Sequence, residues 1–192
     1  MTSPSGCGLM RMMRKIVVSQ FVTLDGVMED PGGAEGTPFG GWAFKFERGE
    51  AGDAFKFDEL MAADALLLGR KTYEGFAAAW PSMTDEQGFA EKMNSMPKYV
   101  VSSTLTEPTW NATAIGLEDI EDLEGNLLVA GSHQLVQTLL EHGLVDEARL
   151  VVYPTALGAG KKLFDTPSDF SLVSAEPSEQ VVLVTLAKKA AA

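Results

Sequence analysis

Three short segments of this chain place small, hydroxyl-bearing or cationic residues directly after an apolar run. Gly69-Arg70-Lys71-Thr72 follows Leu66-Leu67-Leu68, Ser102-Ser103-Thr104 follows Val100-Val101, and Ala130-Gly131-Ser132-His133 follows Leu128-Val129. The chemistry these residue types share is the binding of an anion. Glycine lets a backbone approach a ligand closely, hydroxyls donate to phosphate oxygens, and a helix that starts after such a turn offers unspent N–H groups and the positive end of its dipole. Arg70 and Lys71 at a helix start conflict with that dipole, a conflict resolved when an anion sits there too. Taken singly, each segment has a plain reading: two solvated cations, an ordinary hydroxyl-rich turn, and a histidine making a local hydrogen bond. Together, and in this order, they point to an extended dinucleotide diphosphate, because ligands of open α/β sheets lie outside the carboxyl ends of the strands.

Several other devices are missing. There is no G-x-G-x-x-G and no G-x-S-x-G, so the usual dinucleotide fingerprint and the hydrolase elbow are both absent. Gly158-Ala159-Gly160-Lys161-Lys162 resembles a phosphate-binding P-loop only superficially, with Thr155 at the first glycine position and Lys162 where Ser or Thr belongs. Cys7 is the single cysteine, and His133 and His142 have no partners at metal-ligand spacing, so no metal site is expected.

The elements that must position these segments follow from periodicity. Lys15 to Val22 is a β-branched run suited to a strand covered on both faces, ending at the turn Thr23-Leu24-Asp25-Gly26. The spacing predicts helices over Asp53 to Ala63 with Asp53 as cap, from Gly69 to Trp80, over Thr84 to Asn94, and along Leu135, Val136, Leu139 and Leu140, the last closed by Gly143. Ala65 to Leu68, Pro97 to Ser102, Trp110 to Ile115 and Asn126 to Ala130 read as strands, and Leu117 to Glu124 as a short helix. Glu147 to Tyr153, Phe170 to Ala175 and Gln180 to Ala187 are strands with no helix between them. The expected architecture is α/β, a mostly parallel central sheet with antiparallel C-terminal strands and flanking helices. Residues 27–52, rich in Gly and Pro and carrying Phe39, Trp42, Phe44 and Phe46, read as a long functional loop, a candidate lid.

At 192 residues with 45% hydrophobic and 22% charged side chains, the chain suits one globular domain. Residues 1–13 read as a disordered N-terminal tail and 14–190 as the folded domain. A net charge of −12 argues against nucleic-acid or anionic-membrane partners. No apolar run of membrane-spanning length and no signal-peptide core occur, so a cytoplasmic protein acting on a small molecule is expected.

The order VVSQFVTLDG, LLLGRKTYEGF, KYVVSSTL and LLVAGSHQLVQTLLEHGLVDEARLVVYPTALGAGKKLF resembles the dihydrofolate reductase superfamily. More narrowly it is similar to the stand-alone family related to the C-terminal reductase domain of the riboflavin-biosynthesis deaminase–reductase, over about Arg14 to Lys188. The resemblance implies a dihydrofolate-reductase-like fold and NADPH as cofactor. It implies that Gly69, Arg70, Lys71 and Thr72 hold the diphosphate and 2′-phosphate side, with Ser102, Ser103 and Thr104 near the 2′-phosphate. Ala130 and Gly131 would cradle the diphosphate, with Ser132 and His133 standing where glycines are usual. Leu135 and Val136 would lie along the cofactor and Gly26 would close over it.

On the substrate side the resemblance implies an acid before the Gly-Arg segment. Asp53 falls at the matching separation, Asp58 competes with it, and a plain helix cap explains Asp53 equally well. Trp42, Phe57, Tyr153, Leu157 and Gly158 match substrate-lining positions. The activity implied is hydride transfer from NADPH to a C=N or C=O bond of a small pterin- or pyrimidine-like molecule. The alternatives are a 5-amino-6-(5-phosphoribosylamino)uracil reductase, which would need Lys161 or Lys162 for the substrate phosphate, and a non-catalytic NADPH-binding protein. The zinc deaminase signature H-x-E with P-C-x-x-C is absent. Members of the family are often dimers, and the terminal antiparallel strands supply an edge that could pair as a homodimer.

Overall fold

The computed structural model describes residues 13–189; the tail over 1–12 and Cys7 lie outside them. Eight strands form one sheet in the order β4-β3-β2-β5-β1-β6-β8-β7. The strands are β1 (Lys15–Thr23), β2 (Ala65–Gly69), β3 (Lys98–Val101), β4 (Ala112–Ile115), β5 (Asn126–Val129), β6 (Glu147–Tyr153), β7 (Phe170–Ser178) and β8 (Val181–Lys188). All pairings from β4 through β6 are parallel, while β8 runs antiparallel to both β6 and β7. Among the described residues four α-helices flank it: α1 (Gly49–Met61), α2 (Arg70–Ala79), α3 (Phe89–Ser95) and α4 (His133–Glu141).

The apolar runs of the central strands are continuous because both faces are covered. Along β1, Ile16 and Val18 join one cluster and Val17 the other; in β2, Ala65 and Leu67 alternate with Leu66 and Leu68; in β5, Leu127 and Val129 alternate with Leu128. The first cluster packs under Leu135, Val136 and Leu139 of α4. The second receives Leu60 of α1, Tyr73 of α2 and Met93 of α3. A side-chain period of two therefore sorts each strand between two helical layers. Fully burying such an aliphatic side chain stabilises by about 1.5–3 kcal/mol.

Three expectations are corrected. Helix α1 starts at Gly49, so Asp53 lies within it rather than at its cap. The reason is tertiary: Ser178 Oγ donates to the Arg48 carbonyl and docks the first turn against β7. Helix α3 begins only at Phe89, because Asp85 accepts from the N–H groups of Gln87, Phe89 and Ala90 and so caps its start. Strand β7 runs on to Ser178, three of its residues being Glu176, Pro177 and Ser178 paired to Leu183, Val182 and Val181. Pro177 is tolerated there because β7 is an edge strand. The segment 27–52 carries local structure of its own: Val27 bridges Lys162, Trp42–Lys45 form a 3-10 turn, and α1 takes over from Gly49.

Candidate functional site

The carboxyl ends of β2, β3 and β5 lie side by side, and the three sequence segments meet there. The Gly69 N–H donates to the Gly131 carbonyl at 3.1 Å, tying the ends of β2 and β5 together. A β-carbon on Gly131 (φ 132°) would stand 2.7 Å from Thr72 Oγ1. These glycines are thus required by the close approach of the two junctions. Arg70 joins the third: its Nη1 donates to Thr104 Oγ1 at 2.6 Å while its Nε donates to Glu74 Oε1 at 2.7 Å. Ser102 Oγ accepts from the N–H groups of Thr104 and Leu105, fixing the hydroxyl turn. Arg70, Lys71, Ser103 and Thr104 are all exposed.

Helices α2 and α4 both start at this edge, with Gly69 and Ser132 as their caps, and neither receives a side-chain cap hydrogen bond. The carboxylate of Asp85 at α3 shows how this chain satisfies a helix start internally. Two adjacent uncapped helix starts, with Arg70 and Lys71 beside one of them, form an electropositive edge that can hold an anion.

Other sequence-selected residues stand elsewhere. His133 Nε2 lies 3.0 Å from the Lys162 carbonyl and 3.2 Å from Asp165 Oδ2, so its ring ties the start of α4 to the 162–165 segment. Leu135 and Val136 are buried in the core beneath the sheet, not turned to an open groove. Gly26 (φ 80°) closes the turn after β1, its N–H donating to Thr23, with open space where a β-carbon would be. Leu157 and Gly158 donate their N–H groups to Asp25, whose carboxyl is held below the usual range by the Thr23 hydroxyl and then by Gly158. Lys161 is engaged by Glu29 through an ion pair, which lowers the Glu29 pKa and raises that of Lys161.

A cavity of about 940 Å³ opens at the carboxyl ends of β1 and β6. Phe21 and Tyr153 come from those strands; Phe44, Phe46 and Arg48 come from the loop before α1; Asp53 and Phe57 come from α1 itself. Asp53 is therefore brought to the cavity together with Phe57 and Tyr153. It is exposed and salt-bridged, Arg48 donating to its Oδ1 from Nη2 at 2.7 Å and from Nε at 3.2 Å. Burial raises the Tyr153 pKa, with the Arg48 charge acting the other way. Trp42 is corrected from a wall of the cavity to a core residue: it is fully buried, packs edge-on against Tyr153 at 5.3 Å, and donates its indole N–H to the Glu29 carbonyl.

Sequence reasoning missed a buried ionic group behind α1. Glu59, only 2% exposed at its side chain, accepts from Ser19 Oγ and Lys56 Nζ, and Arg149 Nε lies 3.6 Å from its second oxygen. Burial lowers the Lys56 pKa against the opposing pull of Glu59. Lys56 Nζ is 5.1 Å from the centre of the Phe21 ring, so this group underlies one wall of the cavity. The signal was present as Ser19, a polar residue inside an apolar strand, and Glu59 beside Leu60 on α1.

Residues 14–184 match the RibD C-terminal domain family. The chain belongs to that family. It is 32% identical to the YyaP protein of Bacillus subtilis over 161 residues, covering 79% of this chain and 80% of YyaP. Among solved structures, a protein of Shewanella sp. PV-4 assigned to riboflavin biosynthesis superimposes with a TM-score of 0.71 at 22% identity, covering 92% of this chain and 99% of that one. Dihydrofolate reductase from Enterococcus faecalis, solved with NADP(H), superimposes with a TM-score of 0.59 at 13% identity, covering 94% and 100%. At those identities the likeness is one of fold: this RibD C-terminal domain has the dihydrofolate-reductase-like architecture. Among the described residues no helix is long and apolar enough to cross a membrane.

Proposed function

We propose that this RibD C-terminal domain protein is an NADPH-dependent reductase that transfers hydride to a C=N or C=O bond of a small planar substrate. The observation that carries the reading is the pair of uncapped helix starts, α2 and α4, at the ends of adjacent strands, joined through Arg70 to the hydroxyl turn at Ser102–Thr104. That edge supplies what a dinucleotide diphosphate with a 2′-phosphate needs: backbone N–H donors, hydroxyls and two exposed cations. Gly69, Thr72, Gly131 and Ser132 would hold the diphosphate, and Arg70, Lys71, Ser103 and Thr104 the 2′-phosphate.

The dinucleotide supplies the hydride when bound; the protein's own part is positioning and water exclusion. The cavity beside β1 and β6 would seat the substrate against Tyr153, Phe57 and Phe21. Asp53 would orient it, and a proton, where one is needed, would come through Asp53 or a water at the cavity mouth.

Titration of the protein with NADPH, followed by quenching of Trp fluorescence and by melting temperature, tests the reading. Saturable quenching with a rise in Tm, both weaker with NADH, is expected. If NADPH changes neither signal, the reading fails.

A further inference from the structure

The cavity that the reductase reading assigns to the substrate has a composition that narrows what it can hold, and this inference rests on that reading. Five of its lining side chains are aromatic: Phe21, Phe44, Phe46, Phe57 and Tyr153. Phe44 is 82% exposed and sits on the 3-10 turn at the cavity rim. Such a ring has a use when a flat ligand lies beneath it.

Charge narrows the choice further. Glu47, Glu50 and Asp53 line the cavity against one cation, Arg48. Arg48 is committed to Asp53, and Lys56, which lies near Phe21, is committed to Glu59. Among the described residues the carboxylates of Glu47 and Glu50 have no ion-pair partner. Lys161, the cation that a phosphorylated substrate would call on, is held by Glu29 and is not part of the lining. Aromatic walls with unneutralised carboxylates favour an organic cation, through ring faces and through charge, and disfavour a phosphate.

We infer that the substrate of this site is a planar, unphosphorylated organic cation, a conjugated ring system carrying its reducible bond as C=N⁺. The chemistry of reduction fits such a molecule. Hydride adds to the carbon of C=N⁺, the π pair becomes the nitrogen lone pair, and a neutral amine results. Both electrons and the hydrogen come from the reduced nicotinamide dinucleotide, which becomes its oxidised form, and no proton has to enter. That suits a cavity whose acid beside the aromatic walls, Asp53, is already engaged by Arg48.

The test is titration calorimetry of the full chain with three flat probes of similar size: N-methylquinolinium, quinoline (uncharged at neutral pH) and naphthyl phosphate. The expected order is N-methylquinolinium about tenfold tighter than quinoline, the scale of a partly desolvated cation–π and carboxylate contact, with naphthyl phosphate weakest. The E47Q/E50Q double variant, changed only at exposed positions, should show a clearly smaller preference for N-methylquinolinium over quinoline, and Phe44→Ala should weaken both. Tightest binding of naphthyl phosphate, a cation preference undiminished in E47Q/E50Q, or binding of none of the probes would overturn the inference. An NADPH titration on the same samples separates the two readings: NADPH binding without cation preference sinks only this inference, and loss of NADPH binding sinks the reductase reading.

Discussion

Ser132 Oγ occupies the place where a β-carbon on Gly69 would have to stand: the two would be 2.2 Å apart, with Ser132 Cβ and N each at 3.0 Å. The start of α4 is thus packed directly against the end of β2. Gly69 has an ordinary extended conformation, φ −78° and ψ 155°, so space alone, not backbone freedom, demands glycine there.

Gly69→Ala is therefore expected to destabilise the fold by about 1–3 kcal/mol, the usual cost of forcing extra volume into a packed contact. It should also weaken NADPH binding by moving the start of α4. Because the Ser132 backbone nitrogen crowds the site too, adding Ser132→Gly should recover only part of the stability. Urea denaturation of the single and double variants checks this; an unchanged midpoint in Gly69→Ala would show that the junction has slack.

Arg70 bridges two of the three junctions through Thr104, with Glu74 holding its Nε side. Arg70→Ala should weaken NADPH much more than NADH, since a charge-assisted phosphate contact contributes about 1.5–3 kcal/mol. Parallel titrations with both cofactors decide it: equal losses would mean that Arg70 does not read the 2′-phosphate.

The central strands and the three junctions were legible because their signals are local. An apolar run bounded by Gly or hydroxyl residues marks a strand end whatever surrounds it. What the sequence hid depends on contacts between distant segments. The start of α1 is set by Ser178 reaching the Arg48 carbonyl, so a good cap residue, Asp53, was outvoted and ended inside the helix. Trp42 looked like part of a lid because nothing nearby announces that Tyr153 and the Glu29 carbonyl will bury it. Arg149 gives no hint, from its place in β6, that it will share Glu59 with Lys56.

Lys98 offers a pH test. Its side chain is buried, its Nζ donates to the carbonyls of Asn94 and Met96 at 2.9 and 2.7 Å, and it lies 4.1 Å from the centre of the Trp110 ring. Burial lowers its pKa to about 8, against about 10.4 in the unfolded chain. Between those values the unfolded state binds more protons than the folded one, so this group makes stability rise with pH across that window, and its unfavourable contribution is complete below the folded pKa. The slope is at most about 1.4 kcal/mol per pH unit. Denaturation midpoints of wild type and Lys98→Met measured from neutral pH upward should diverge in slope, only the wild type gaining; parallel curves would show that Lys98 titrates normally.

Glu59 carries the largest single-residue prediction. It is the only carboxylate among the described residues paired to Lys56 or Arg149, and all three are held between α1 and the sheet. Removing its charge leaves two partly buried cations facing each other with no counter-ion, a change of the kind that costs about 3–5 kcal/mol. Glu59→Gln should therefore be strongly destabilised, and because Lys56 underlies Phe21 it should also lose affinity for ligands of the adjoining cavity. Glu59→Gln combined with Lys56→Met removes one of the stranded charges and should regain part of the stability. Chemical denaturation of the two variants checks the point, and a Glu59→Gln protein as stable as the wild type would show that solvent already screens the cluster.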